Sequence, residues 1–151
     1  MDFVRGNRRT FYSGMIEPRP NVIFVFGSNP EGRHGLGAAK TAVERFGAIY
    51  GQGEGMQGHS YALPTKDLRV RANNGYRSIP PEQIVANIGK LYATARQFPN
   101  MRFCVAYTNT TKQSLNGYTG VEMAKMFIAA AGRPDNIPEN IIFSEQWFHM
   151  F

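Results

Sequence analysis

Short apolar runs alternate with longer amphipathic segments along the chain. Val22-Ile23-Phe24-Val25-Phe26 is a continuous apolar run, β-branched and aromatic, with the length of a buried strand. A polar, glycine-rich turn from Gly27 to Gly37 follows. Ala38, Ala39, Ala42, Val43 and Phe46 then recur at the spacing of one helical face, and Gly47 stands where a C-terminal cap belongs. Ala48-Ile49-Tyr50 and Tyr61-Ala62-Leu63-Pro64 read as short strands separated by a glycine loop. Pro80 and Pro81 open a second helix whose face is Ile84, Val85, Ile88, Leu91, Tyr92, Ala95 and Phe98, and Pro99-Asn100 end it. Phe103 to Tyr107 is another buried strand. Thr119 and Glu122 have the spacing of a capping box before a third helix, which presents Val121, Ala124, Met126, Phe127 and Ala130 and stops at Gly132 and Pro134. Ile141-Ile142-Phe143 is the last strand, followed by an aromatic tail.

Strands alternating with helices predict an α/β domain with a mostly parallel sheet and helices on both faces. Ligands of such domains bind beyond the carboxyl ends of the strands. Three loops leave those ends: Gly27 to Gly37, Thr65 to Ile79, and Thr108 to Tyr118. Residues 1–20 hold Arg5, Arg8, Arg9 and Arg19 and form either a basic arm or an early edge strand around Arg9 to Tyr12. The remaining chain shows no repeat and no linker, so the 151 residues are expected to form a single domain.

Nine of the sixteen glycines fall between Gly27 and Gly58, which implies close backbone approach or positive φ in that stretch. A strand, a glycine loop and a helix N-terminus together make an anion site, because unpaired N–H groups and the positive end of the helix dipole converge there. The loop lacks the Gly-Lys-Ser/Thr ending of a P-loop. Gly32, Gly35 and Gly37 do not match the dinucleotide fingerprint either. Asn29 and His34 add side chains able to orient a ribose hydroxyl or a water. Gly37 is expected to bring bare N–H groups to a phosphate, so that Gly37→Val would abolish binding and leave the fold largely intact.

The net charge of +6 favours anionic partners, and Arg69, Arg71 and Arg77 form a second basic cluster in the loop after Lys66. The single cysteine, Cys104, excludes an internal disulfide and lies in an apolar run, where it is expected buried and inert. His34 and His59 lack companions for a zinc site. No metal or cofactor is expected. No apolar run reaches the length of a membrane span and no signal peptide opens the chain, so a cytoplasmic protein of a bacterium or a phage-infected host, without membrane contact, is the expectation.

The run FGSN-x-x-GRHG-x-GAA, followed by GAIYGQG and SYALPTKD, resembles a family of bacterial and phage proteins that looks like a divergent branch of the macrodomains. The likeness is strongest from Val22 to Asp67. It implies a three-layer α/β/α fold and binding of ADP-ribose or a related nucleotide, free or on an ADP-ribosylated protein. The implied first ligand loop is Gly27, Ser28, Asn29, Gly32, Gly35, Gly37 and Ala38. The implied second loop is Thr108 with Asn116, Gly117, Tyr118 and Gly120. One macrodomain branch hydrolyses ADP-ribosyl groups with a lysine and an aspartate. Lys66 resembles that lysine, but Asn116 stands where the aspartate belongs, and an amide is neither acid nor base. Asn29 and His34, positioning a water, are the other catalytic candidates. A nucleic-acid or protein-interaction module using the basic surface is the alternative.

Overall fold

The computed structural model describes residues 1–107 and 114–151. Its centre is a seven-stranded sheet in the order β1-β2-β7-β6-β3-β5-β4. The strands are β1 (Asp2–Arg5), β2 (Thr10–Ser13), β3 (Val22–Ser28), β4 (Gly55–Gln57), β5 (Ser60–Pro64), β6 (Arg102–Val105) and β7 (Ile141–Ser144). The five strands from β2 to β5 run parallel, and β1 and β4 add antiparallel edges. The helices are α1 (Gly37–Phe46), α2 (Pro81–Gln97) and α3 (Gly120–Ala129).

Side chains alternate across each strand, and this sorts the core into two clusters. Ile23 and Val25 of β3, Tyr61 and Leu63 of β5, and Phe103 and Val105 of β6 pack with α2 and α3. Phe24 and Phe26, Ala62 and Cys104 pack on the other face with Ala39, Ala42 and Phe46 of α1. Phe24 and Phe46 stack at 4.4 Å between centroids. Helices therefore cover both faces of the sheet. No described helix is long and apolar enough to cross a membrane.

Local chemistry sets the helix ends. Gly47 terminates α1 in the left-handed region at φ 72°. Pro81 occupies the first turn of α2, where its missing N–H costs nothing. The capping box at α3 is complete: Thr119 Oγ1 accepts from the Glu122 N–H, and the Glu122 carboxylate accepts from the Thr119 N–H, each at 3.0 Å.

One sequence expectation changes, and of the two alternatives for the N-terminal segment the strand is the one formed, at Thr10–Ser13. Ala48-Ile49-Tyr50 is not a strand; Gln57 Oε1 accepts the Ile49 N–H and turns the segment back. The N-terminal arginines do not form a free arm. β1 and β2 make a hairpin that extends the sheet through β7, so β2 is interior and β1 is the edge. Arg9 is buried there and donates to the carbonyls of Pro134, Pro138 and Ile141.

Candidate functional site

Register brings three strand ends together. Ser28 of β3 lies beside Pro64 of β5, and Val25 lies beside Val105 of β6. Asn29, Thr65 and Tyr107 therefore emerge at one edge of the sheet. The Ser28 carbonyl accepts the Thr65 N–H at 2.9 Å, which fixes two of the ends to each other. The N-termini of α1 and α3 open at the same edge, and a cavity of about 510 Å³ lies among them. This is the position expected for the ligand of a parallel sheet.

Of the residues named from sequence, Gly27, Ser28, Asn29, Gly35, Gly37, Ala38, Lys66, Asn116 and Gly120 line the cavity. Gly32, His34, Gly117 and Tyr118 do not line it, and Thr108 lies outside the described residues. The wall also contains residues that sequence reasoning passed over. Arg33, Thr65 and Tyr107 add polar groups. Leu36, Tyr50, Leu68 and Leu115 add an apolar mouth. Leu36 and Leu115 are more than half exposed. A leucine inside a polar glycine loop was the available signal for Leu36, and the last residue after a central strand was the signal for Tyr107.

The polar side chains singled out from sequence are largely committed to the loops themselves. Asn29 Oδ1 accepts the Arg33 N–H at 2.8 Å, and Asn29 Nδ2 donates to the Arg33 carbonyl at 3.1 Å. The amide thus braces the first loop across four residues. Ser28 Oγ donates to the Gly53 carbonyl. His34 Nε2 lies 2.8 Å from the Gln52 carbonyl, so that nitrogen carries the proton, and the ring stands edge-on to Phe26 at 5.1 Å. Asn116 braces the second loop by accepting from the Tyr118 N–H and the Ser114 hydroxyl. Its Nδ2 points to the Tyr107 hydroxyl at 3.4 Å, which also lies 3.4 Å from Thr65 Oγ1. Burial pushes the Tyr107 phenol up to about 12.

The glycines divide by what surrounds them. A Cβ on Gly53 would meet the backbone oxygens of Asn29 and Pro30, and one on Gly58 would lie 2.5 Å from the Gly47 carbonyl oxygen. These glycines, with Gly32 against Gly51, let backbone pack on backbone. Gly117 is left-handed at φ 88° and packs on Tyr76 and Arg77. Gly27 leaves room for the Tyr107 hydroxyl. Gly35 is different. It lies outside the left-handed region, and a Cβ there would meet nothing within 4 Å, although the residue lines the cavity. Gly37 is left-handed at φ 57°, which corrects the expectation that a valine there would leave the fold largely intact.

Helix α1 presents an open N-terminus to this space. Leu36 is its N-cap residue and provides no side-chain cap, and no acidic residue occupies the first turn. The first internal bond runs from the Lys40 N–H to the Leu36 carbonyl at 3.2 Å. The N–H groups of Gly37, Ala38 and Ala39 precede that bond and have no acceptor among the described residues. The α3 terminus already holds the Glu122 carboxylate, which Arg77 pairs at 2.8 Å. Arg33 and Lys66 are the charged side chains among the described lining residues, and both are cationic. Lys66 Nζ sits 5.4 Å from the Tyr76 ring centroid, within cation–π range. No protein-family model, curated protein or solved structure matches this chain.

Proposed function

We propose that this chain is a macrodomain-like module of three-layer α/β/α type whose cavity binds ADP-ribose or a closely related nucleotide. The phosphates lie at the N-terminus of α1, between Arg33 and Lys66. The observation that carries this reading is the uncapped α1 terminus beside Gly35. Free N–H groups of a helix end attract an anion, and a glycine with neither crowding nor positive φ leaves room for one to touch the backbone. The apolar mouth formed by Leu36, Tyr50, Leu68 and Leu115 fits the flat apolar faces of a base. The volume of about 510 Å³ lies within the usual range for small-molecule sites.

Binding ranks ahead of hydrolysis. The described cavity wall holds no carboxylate and no imidazole, so it offers no ready acid–base pair. Lys66 favours hydrolysis of an ADP-ribosyl linkage as the second reading, because the residue lines the cavity and its ammonium has no carboxylate within 4 Å among the described residues. The basic surface favours a nucleic acid less than its composition implies. Arg8, Arg19, Arg69 and Arg77 all hold carboxylates of this chain, and Arg9 is buried.

Titration calorimetry with ADP-ribose, and with ADP as the related nucleotide, tests the reading. Saturable binding of either supports it. Absence of heat and of a thermal shift at millimolar ligand refutes it. Release of ADP-ribose from a modified protein on incubation would raise hydrolysis above simple binding.

A further inference from the structure

Two carboxylates lie close in sequence to the cavity's cations, yet neither pairs with them. Glu31 stands two residues before Arg33 in the loop between β3 and α1. Asp67 directly follows Lys66 beyond β5. Both are turned to Arg69. The Arg69 Nε and Nη2 atoms lie 3.0 Å from the two Asp67 oxygens, and the Arg69 N–H donates to Asp67 Oδ1 at 2.9 Å. Nε is also 3.3 Å from Glu31 Oε1. Both Glu31 oxygens are shut off from solvent and lack a directed hydrogen bond among the described residues. The Glu31 contact is therefore one of charge, and Arg69 is the cation that compensates a desolvated carboxylate.

We propose that Arg69 is a positioning residue for the anion site. It sequesters Glu31 and Asp67 outside the cavity and so keeps Arg33 and Lys66 free for a phosphate. Neither of those two cations has a carboxylate within 4 Å among the described residues. Without Arg69, each acid turns to the nearest cation of its own loop, Glu31 to Arg33 and Asp67 to Lys66. The phosphate would then compete with two internal ion pairs. Arg69 is itself mostly exposed and touches no described wall residue through an ion pair, so its effect on the ligand runs through the two acids.

A simple mechanical pin between the two loops makes a different prediction. In that case loss of Arg69 loosens both loops, and neutralising the acids repairs nothing. The discriminating variants are Arg69→Ala and the triple variant Arg69→Ala, Glu31→Gln, Asp67→Asn. All three proteins, wild type included, are titrated with ADP-ribose at low salt, and their melting temperatures are measured. The single variant is expected to bind about tenfold more weakly, the order set by two partly exposed ion pairs. The triple variant is expected to return to within about threefold of wild type, although it lacks the same clip. Unchanged affinity in the single variant, or a triple variant as weak as the single one, overturns the proposal and leaves the nucleotide reading standing. The inference rests on that reading: a wild-type protein that binds no ADP-ribose overturns both.

Discussion

Gly35→Val separates a ligand loop from a packing loop. At Gly32, Gly53 and Gly58 the two explanations are mixed, because a side chain would also hit backbone. At Gly35 the added atoms point into open space, and the backbone conformation does not require glycine. Replacing such a glycine narrows the unfolded ensemble and is worth roughly 0.4–1 kcal/mol of stability. The extra strain of a branched side chain offsets part of that gain. For a chain of this size each kcal/mol moves the melting temperature by about 2–4 °C, so the variant should melt within about 3 °C of wild type. Binding should respond strongly. Branched methyls at the cavity wall hold the ligand off the neighbouring N–H groups. Losing one or two charge-assisted hydrogen bonds, at about 1.5–3 kcal/mol each, weakens binding by roughly 2–5 kcal/mol. That is a factor of about thirty to several thousand in Kd. Calorimetry gives the affinity and circular dichroism the melting curve. Unaltered melting with affinity within threefold of wild type would show that no ligand approaches Gly35, and the phosphate-loop argument would fail at its strongest residue.

Other substitutions test the scaffold. Gly53→Ala pushes a methyl into the Pro30 carbonyl group, 2.6 Å from its oxygen, and should cost about 2 kcal/mol, read as a fall of roughly 4–8 °C in melting temperature. Gly37→Val places a branched residue at φ 57° and should lose about 1–2 kcal/mol of stability together with binding, again by melting and calorimetry on one sample. Arg9→Met strips donors from one buried and two partly buried carbonyls and should cost about 2–4 kcal/mol in a urea titration. Burial pushes the Cys104 thiol up to about 12, so at pH 8 a disulfide reagent should label it only after denaturation.

The central strands and the three helices were legible because their periods are clear and their caps are local. Thr119 and Glu122 announce the start of α3 in four residues, and Gly47 announces the end of α1. The β1–β2 hairpin was harder, since its place is set by pairing with β7, about 130 residues away along the chain, and by an arginine buried under distant carbonyls. Ala48-Ile49-Tyr50 looked like a strand by composition, but a single side-chain acceptor, Gln57, decides its turn. The position of the cavity followed from strand order. Its chemistry did not, because sequence displays side chains and this wall also works through backbone. Gly32 and Gly117 are indistinguishable in sequence from Gly35, yet only Gly35 faces open space.

That difference bears on what the site can do. Asn29, His34 and Asn116 attract attention as polar residues in glycine loops; Asn29 and Asn116 use their polar atoms to hold loop backbone or a neighbouring side chain, and His34 holds the Gln52 carbonyl through Nε2 while its buried Nδ1 has no hydrogen-bond partner among the described residues. What remains for a ligand is a set of fixed N–H dipoles, two cations and an apolar mouth. Such a set recognises charge and shape, and the dipoles need no reorganisation when an anion arrives. Catalysis asks for more: a group that changes protonation state at the reacting atom. Within the described wall that leaves Lys66 and Tyr107. The Tyr107 phenol, pushed up to about 12 by burial, stays protonated at neutral pH and is no base there. Lys66 is thus the residue on which a hydrolase reading must stand. Lys66→Met should weaken nucleotide binding through loss of one cation. If the wild type releases ADP-ribose from a modified protein, the same change should abolish release far beyond the binding loss. A release rate that falls only in proportion to affinity would assign Lys66 to binding alone.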